Sequence, residues 1–509
     1  MPLWISWVPS LLALLLIGVG LLSGQAVRWS TGGAAVGLAA WNLWLVSRAG
    51  EQPLSLTVDL RPQHYVQACA QATVLVYWGW YWRPVFEGLS LLAAQLLFAY
   101  AFDMLLNWTQ RRAYGVGFGP VPVIFSINLF LWFRPEWFAC QLLMVAVGFT
   151  AKALIRWQRD GRAAHIFNPS SFPLAAASVL LILTGTSDLT RGVDIAISQF
   201  YPPQMYLLLF LVGLPGQLLF GVASMTLSAV VTTWLFGLVY LAVTGTYFFL
   251  DSYVPIAVFL GMHLLFTDPS TSPRTELGRV IFGVLYGLSS VVLYQLLTSA
   301  GLPAFYDKLL QVPLLNLSVR AIDRTVRAGW LAAIDPARLA PFAPARRRHV
   351  AYVLAWALGF TVMSLTGGVG DTHPGQWTPF WQQACASGSD RACGYLAQLE
   401  AVLCRAGSGW ACNEAGRRAL GRSTAERGAR GMTPQVAFGR GCRLGFVPAC
   451  RNAARPGRVE QAPPELADYP ILLRGSKGPL TERSPAALLA QACRRGFNDA
   501  CEGSEGTQR

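Results

Sequence analysis

Long apolar runs follow one another along residues 1–366, and the remainder of the sequence has none. A helix needs about 20 mostly apolar residues to cross the hydrocarbon of a bilayer. The pattern predicts an all-α fold, with a polytopic bundle of about 13 transmembrane helices in residues 1–366, a linker at 367–380 and a repeat region at 381–505. The predicted spans are 3–22, 31–47, 66–82, 84–105, 118–134, 136–154, 170–186, 205–221, 224–248, 253–267, 277–299, 302–319 and 349–366.

Composition supports a membrane location. Hydrophobic residues make up 53% of the chain and charged residues only 13%. A soluble domain usually carries about 25% charged residues, so this chain has more apolar surface than one water-soluble core would bury. No basic residue precedes the first apolar run and no convincing small-residue cleavage site follows it. We therefore expect a retained helix rather than a cleaved signal peptide.

The net charge of +14 comes almost entirely from arginine. The arginines lie in short segments between apolar runs and not in a patch with aromatic residues, which favours membrane orientation over nucleic-acid binding. The basic segments 106–116, 151–165 and 320–348 fall on one side of the membrane only if the polar span 302–319 is kept. The positive-inside rule then predicts a cytoplasmic N-terminus and an extracytoplasmic C-terminal domain.

Eight of the ten cysteines lie beyond residue 380, as four pairs with one spacing and a glycine between the two members. This spacing is typical of a helix–turn–helix in which both cysteines come close enough to be bridged, and disulfides persist in an oxidising compartment. Zinc is the weaker alternative, because zinc sites favour shorter spacings and usually recruit His. Cys69 and Cys140 are interpreted as small core residues. The predicted disulfides are Cys385–Cys393, Cys404–Cys412, Cys442–Cys450 and Cys493–Cys501.

The cysteine-rich tail resembles Sel1-like repeats of the extracytoplasmic kind, a branch of the tetratricopeptide-like αα solenoids, over about residues 380–505. The interval between the second and third cysteine pairs is close to that family's period, whereas the other intervals are irregular. The resemblance implies a solenoid whose concave surface binds a protein partner.

Two polar, proline-containing motifs lie at the ends of apolar spans: HIFNPSSFPL at 165–174 and FTDPSTSPRTELGRVIFG at 266–283. Each proline stops a helix and leaves backbone N–H groups for an anion or another ligand. The alternative is that Asp268 and Thr275 simply cap neighbouring helices. The candidate pocket or cofactor residues are His165, Asn168, Ser170, Thr267, Asp268, Thr271, Ser272, Arg274 and Arg279.

These motifs, together with LLNLSVRAIDR at 314–324, resemble the NqrB/RnfD family of ion-pumping oxidoreductase membrane subunits over about residues 60–325. The resemblance implies a location in the bacterial inner membrane, which makes the C-terminal domain periplasmic. It also implies electron transfer or ion translocation, other electron-transfer subunits as partners, and a flavin, either FMN or riboflavin. The family carries covalent FMN on the Thr of an S-G-A-T motif, which this chain lacks. We therefore expect any flavin to be held without a covalent bond.

Two further functions remain open. A redox-inactive transporter or channel on the same scaffold would use the broken helices at the proline motifs, and a membrane-anchored scaffold would act through the repeat domain alone. No catalytic residue is singled out, and the sequence leaves open whether the chain is an enzyme. His263 is interpreted as a packing residue, and the histidines are too scattered for a metal site. The expected partners are the lipid bilayer and other proteins, and not nucleic acid.

Overall fold

Helices account for most of the chain in a computed structural model of the protein, as the apolar runs predict. The described residues fall into two compact units, and the division passes through one long helix between Leu235 and Phe236. The structure describes residues 3–49, 54–111, 113–159, 161–200, 202–250, 252–339, 344–369, 373, 375, 378–406, 408–420 and 433–454.

The first unit consists of residues 1–199, 205–235 and 256–365. Its helices, with the long helix that it shares, are α1 (Val8–Leu22), α2 (Gln25–Ala49), α3 (Pro62–Tyr81), α4 (Pro84–Glu87), α5 (Leu89–Arg111), α6 (Pro120–Asn128), α7 (Phe138–Leu154), α8 (Ser171–Thr184), α9 (Gly192–Ser198), α10 (Met205–Phe220), α11 (Ala223–Thr244), α12 (Ile256–Leu264), α13 (Glu276–Ser299), α14 (Asp307–Arg327), α15 (Pro336–Leu339) and α16 (Ala345–Leu365).

Six segments of the described chain are helical, long and apolar enough to cross a membrane: Ile5–Leu22, Leu89–Arg111, Pro135–Leu154, Ala223–Thr244, Glu276–Ser299 and Ala345–Leu365. Large apolar side chains point outward from several helices; Leu183 and Leu358 are 79% and 67% exposed. Extended apolar surface of this kind is unfavourable in water and favourable in lipid. The remaining spans of the thirteen predicted stay a prediction.

Two of the predicted spans, 118–134 and 253–267, contain helices of only nine residues, α6 and α12. Nine helical residues rise about 13 Å, less than half of the roughly 30 Å of a bilayer's hydrocarbon. Every residue of α12 is buried, as are eight of the nine in α6. α12 ends because the chain runs into Asp268-Pro269, where the residue before proline disfavours helix. Both are short helices enclosed by the bundle.

The same order of elements occurs twice in this unit. Two long helices, a nine-residue helix and two more long helices make up α3, α5, α6, α7 and α8, and again α10, α11, α12, α13 and α14. α3 packs against α6 as α10 packs against α12, and the two sets meet where α3 contacts α10 and α8 contacts α14. The nine-residue helix therefore has the same helical neighbour in each set.

Two small sheets complete the first unit. β1 (Ser55–Asp59) pairs in parallel with β2 (Ala113–Gly117). β3 (Arg156–Arg159) pairs antiparallel with β4 (Arg162–His165), and Gly161 in the turn has φ of +74°. Glycine adopts this left-handed backbone without steric cost. The hairpin places Arg159 and His165 beside the proline motifs.

The second unit consists of residues 200–204, 236–255 and 366–509. Beyond residue 366 its described helices are α17 (Thr378–Ala386), α18 (Asp390–Ala406), α19 (Gly409–Leu420), α20 (Pro434–Arg443) and α21 (Val447–Ala454). α18 is fixed to the 236–255 segment, because the Tyr395 hydroxyl and the Arg391 guanidinium both donate to the carbonyl of Phe248, at 2.6 and 3.1 Å.

Three disulfides connect consecutive helices of the second unit, each with a Cα–Cα distance of 4.5 Å. They are the predicted pairs Cys385–Cys393, Cys404–Cys412 and Cys442–Cys450. Gly388 and Gly445, at φ of +94° and +84°, make two of the turns. The fourth predicted pair, Cys493–Cys501, lies outside the described residues.

Candidate functional site

Asn168 organises the loop of the first proline motif. Its side-chain oxygen accepts hydrogen bonds from the backbone N–H groups of Ser170 and Ser171, at 2.9 and 3.0 Å, and from the Ser170 hydroxyl at 2.7 Å. These are the bonds by which a side chain caps a helix, and α8 begins here. The Asn168 amide nitrogen donates to the carbonyl of Leu265, at 3.0 Å. Asn168 thereby connects the start of α8 to the end of α12.

Asn316, in the middle of α14, joins the two motifs. Its amide nitrogen donates to the carbonyl of Thr271, at 3.0 Å, and its oxygen accepts from the backbone N–H of Asn168, at 3.2 Å. Asn316 was not predicted as a site residue, although the segment around it carries part of the family resemblance. Its signal in the sequence was an amide among leucines.

Asp268 organises the second motif in the same way. Its carboxylate accepts from the backbone N–H of Ser270, at 2.9 Å, and from the Thr271 hydroxyl, at 3.2 Å. His165 Nε2 lies 3.5 Å from Asp268 Oδ2, a contact longer than a hydrogen bond. Burial acts to raise the pKa of Asp268, but His165 and the two donors outweigh it and hold that pKa below its ordinary value.

A buried ion pair supports the same loops from the side of the β3–β4 hairpin. Arg159 and Asp323 approach to 2.8 Å, with side chains 6% and 7% exposed. Arg159 also donates to the carbonyl of Ser272, at 2.9 Å, and Asp323 accepts from the Thr275 hydroxyl and N–H, at 2.8 and 3.0 Å. Sequence reasoning missed the pair, because its members are 164 positions apart in the chain.

The predicted site residues of the two motifs therefore lie together, and most of their hydrogen bonds join them to the surrounding loops and helices. The capping alternative is not met at Thr275, which stands at the N-cap of α13 without a side-chain cap bond and donates to Asp323 instead. Thr267 donates to the carbonyl of His263, at 2.9 Å. Ser272 is buried, and its hydroxyl has no hydrogen-bond partner among the described residues. A ligand-binding role for these side chains stays a prediction.

Two of the predicted residues, Arg274 and Arg279, line a cavity of about 420 Å³. Arg279 donates to the carbonyls of Pro273 and Gly221, at 3.1 and 2.6 Å. The rest of the lining comes from α13, α14, α15 and α16 and the segments beside them: Thr275, Glu276, Val326, Arg327, Ala332, Asp335, Ala337, Arg338, Ala345, Arg348 and His349.

A second group of polar side chains surrounds α12 inside the bundle. Gln217 of α10, His263 of α12 and Trp356 of α16 are 1%, 2% and 0% exposed. Both side-chain polar atoms of Gln217, His263 Nε2 and Trp356 Nε1 have no hydrogen-bond partner among the described residues. His263 Nδ1 lies 2.7 Å from the carbonyl of Phe259, and the His263 and Trp356 rings are 5.8 Å apart. Polar atoms of three buried side chains beside α12 thus lack hydrogen-bond partners among the described residues.

Gly213 of α10 makes room for this group. A Cβ atom at Gly213 would stand 3.0 Å from His263 Cδ2 and 3.3 Å from Gln217 Nε2. His263 and Gln217 therefore converge on one glycine. Sequence reasoning interpreted His263 as a packing residue, and the unpaired Nε2 is the feature that it did not foresee.

The corresponding short helix α6 also carries polar side chains, but most of their atoms are paired. Asn128 and Gln95 exchange two hydrogen bonds, at 2.9 and 3.1 Å, and Gln141 donates to Gln95, at 3.0 Å. Gln71 of α3 donates to Ser126 of α6, at 2.7 Å. A glutamine of the neighbouring helix thus reaches the short helix in both sets, Gln71 in the first and Gln217 in the second.

Comparison of the chain with protein-family models, with curated proteins and with solved structures found no match. The class of protein is defined by the fold: a mostly helical membrane protein with six candidate membrane-spanning helices and a disulfide-bonded C-terminal region. Within the described ranges, no group of three or more His, Cys, Asp and Glu side chains is arranged to hold a metal ion.

Proposed function

We propose that the chain moves a small ion or polar solute across the membrane through a binding site at α12. The observation that carries the proposal is the enclosed, unpaired polar group of Gln217 and His263. A buried polar atom without a partner costs about 1–3 kcal/mol. Several such atoms at one place are a standing cost to the fold, and a ligand that completes their bonds gives a reason for retaining them.

The element order supports this function. Discontinuous helices that end inside the bundle are the usual substrate sites of secondary transporters, and they occur in repeated halves. Here two sets of five segments each contain one short helix. With thirteen spans, the chain beside each nine-residue helix completes that crossing, so each set crosses the membrane five times. Because five is odd, two such sets in succession would have opposite orientations. The proposal includes the thirteen spans, the cytoplasmic N-terminus and the periplasmic C-terminal domain predicted from charge.

The resemblance to the NqrB/RnfD family supports electron transfer as the energy source for translocation. In that form the chain is an inner-membrane subunit that couples translocation to electron transfer with other subunits, and its Sel1-like outer domain binds a protein partner. The described lining of the 420 Å³ cavity has no Phe, Tyr or Trp side chain, so it offers no aromatic face to an isoalloxazine ring. We therefore do not place a flavin in that cavity.

Flux through the purified full chain tests translocation. In proteoliposomes we expect uptake of labelled sodium, chloride or urea above that of protein-free vesicles, and loss of this uptake in Gln217→Met. Gln199→Met is the matched control, because Gln199 is another buried glutamine with an unpaired side-chain oxygen. Flux that is absent for all three solutes, or equal in the two variants, contradicts the proposed site. Uptake that is lost in Gln217→Met and kept in Gln199→Met also argues against a purely scaffolding role.

The redox form has a separate test. The absorbance spectrum of the detergent-purified protein is measured before and after acid precipitation. Flavin released to the supernatant supports a non-covalent redox subunit, whereas flavin in the precipitate means covalent attachment without S-G-A-T. Purified protein with no flavin contradicts the flavin-carrying form and leaves redox-independent translocation.

A further inference from the structure

We infer that the 420 Å³ cavity between α13, α14 and α16 binds a phosphate group, either on an anionic lipid headgroup or as free phosphate. The inference is independent of the translocation site at α12. It rests on the charge of the lining, on the positions of its guanidinium groups and on the helix ends that open onto the cavity.

The lining has an excess of positive charge. Five arginines and two carboxylates line the cavity, a formal excess of three positive charges, with His349 beside them. One carboxylate is already engaged, because Glu276 lies 2.9 Å from Arg348 and accepts from the Tyr352 hydroxyl at 2.5 Å. The other, Asp335, accepts the backbone N–H of Ala337 at 2.9 Å. An anion in the cavity therefore meets guanidinium groups in excess over the acids that would repel it.

Two of the guanidinium groups are held in place before any ligand binds. Arg279 is fixed by the carbonyls of Pro273 and Gly221, which engage its N–H groups without neutralising its charge. Arg348 is fixed by Glu276. Planar guanidinium groups pair with phosphate through two parallel hydrogen bonds. Arginine side chains that are already held in place lose less conformational entropy on binding phosphate than freely rotating arginines do.

Helix ends add to the attraction. α13 begins at Glu276 and α16 at Ala345, and both residues line the cavity. A helix N-terminus carries about half a positive charge and presents N–H groups to anions. The C-terminal end of α14 opposes them, but its last turn carries Arg327, which lines the cavity. The balance of helix ends and side chains favours an anion.

Binding to the full chain in neutral detergent tests the inference by calorimetry, with inorganic phosphate and short-chain phosphatidylglycerol as probes. Phosphatidylcholine is the net-neutral control. Binding of inorganic phosphate identifies a soluble phosphate ligand, and binding of phosphatidylglycerol alone identifies a lipid headgroup. Either result supports the site, provided that the cavity variants weaken binding. No binding of either probe overturns it.

The variants separate the cavity from the general basic surface. Arg327→Gln with Arg338→Gln removes two charges from the lining, whereas Arg324→Gln with Arg347→Gln removes two charges outside it. We expect about tenfold weaker binding in the first double variant, since charge-assisted bonds to phosphate are lost, and unchanged binding in the second. Equal weakening in both overturns the site and indicates a diffuse basic surface. Equal unfolding midpoints of the two variants establish that both are folded.

Discussion

Some buried polar residues of the first unit have hydrogen-bond partners and others do not. This difference decides whether replacing the residue by an apolar one raises or lowers the free energy of unfolding. Gln217 has two unpaired atoms, whereas Gln95 holds Asn128 and Gln141. We expect Gln217→Met to raise the free energy of unfolding by about 1 kcal/mol, because an uncompensated amide is removed. Gln95→Met should lower it by about 2 kcal/mol, because its partners lose their bonds. Denaturant unfolding in detergent measures both, and destabilisation by Gln217→Met would show that its amide is satisfied.

Breaking the Arg159–Asp323 pair should lower the free energy of unfolding by more than Gln95→Met does. Asp323→Asn removes the carboxylate that pairs with the buried Arg159, and breaking a buried pair in this way costs about 3–5 kcal/mol. Asp188→Asn, at an exposed carboxylate, is the control. The double variant Arg159→Met with Asp323→Leu should recover much of the loss, since an apolar pair replaces the buried charges. The same unfolding experiment measures all three, and an Asp323→Asn protein as stable as the control would contradict a buried pair.

Glu400 in α18 makes the second unit sensitive to pH. Its side chain is fully buried and one oxygen is unpaired, while the other lies 2.7 Å from Arg418. Burial raises the pKa of Glu400 to about 7, although Arg418 opposes the shift. The folded state thus holds a proton that the unfolded state releases above its ordinary pKa of 4.5. The stabilisation is complete below that pH and is lost as the pH rises through about 7.

We therefore expect amide exchange in α18 and α19 of the full chain, corrected for intrinsic rate, to become faster from pH 5 to pH 8. The change corresponds to roughly 3 kcal/mol at most. Glu400→Gln should flatten this dependence, because a neutral amide does not titrate. Glu414→Gln, in the neighbouring Arg417 pair, should keep the pH dependence but lower its midpoint, because repulsion by Glu414 also raises the pKa of Glu400. Amide exchange that slows as the pH rises would mean that the interaction with Arg418 outweighs burial in setting the pKa of Glu400.

At the scale of elements, one glycine ends α10 and positions a cavity residue. Gly221 has φ of +66°, and a Cβ atom there would come within 2.4 Å of the His349 ring. Gly221→Ala should cost about 1–3 kcal/mol, because the left-handed backbone is strained and the ring must move. Gly216→Ala, in the interior of the same helix with space for a methyl group, should stabilise by about 0.5–1 kcal/mol. Equal effects in denaturant unfolding would contradict this account.

The elements also show how far sequence reasoning reaches. Apolar runs predict long helices well, because α5 and α13 each fill a span by themselves. They fail to show that 118–134 and 253–267 contain nine-residue helices, since a short apolar helix with apolar turns has the composition of a full span. The proline motifs were found because Asx-Pro is a local signal. Arg159–Asp323 and the Asn316 bridge were not, because long-range pairing leaves no local pattern.

At the scale of the whole molecule, the three described disulfides were predictable because each pair is local, whereas Cys69, expected in the core, is exposed. The cysteines carry the last test. Three pairs are bonded, whereas Cys69 is an exposed free thiol and Cys140 is free and partly buried. Alkylation of the unfolded full chain without reductant should modify only Cys69 and Cys140 if Cys493–Cys501 also forms the predicted bond. With reductant, all ten cysteines should react.

Peptide mapping of the alkylated chain assigns each site. Labelled Cys493 and Cys501 would show the fourth predicted disulfide to be wrong. Labelled Cys404 and Cys412 would contradict the disulfide described in the second unit.

Replacing Cys404 and Cys412 by alanine should lower the free energy of unfolding of the second unit by about 2.5 kcal/mol, the loop-closure value for so short a loop. Amide exchange in α18 and α19 measures this, with Cys69→Ala as a control that leaves the second unit unchanged. Because disulfides persist only in an oxidising compartment, bonded cysteines in protein taken directly from membranes would also support the periplasmic side for this unit.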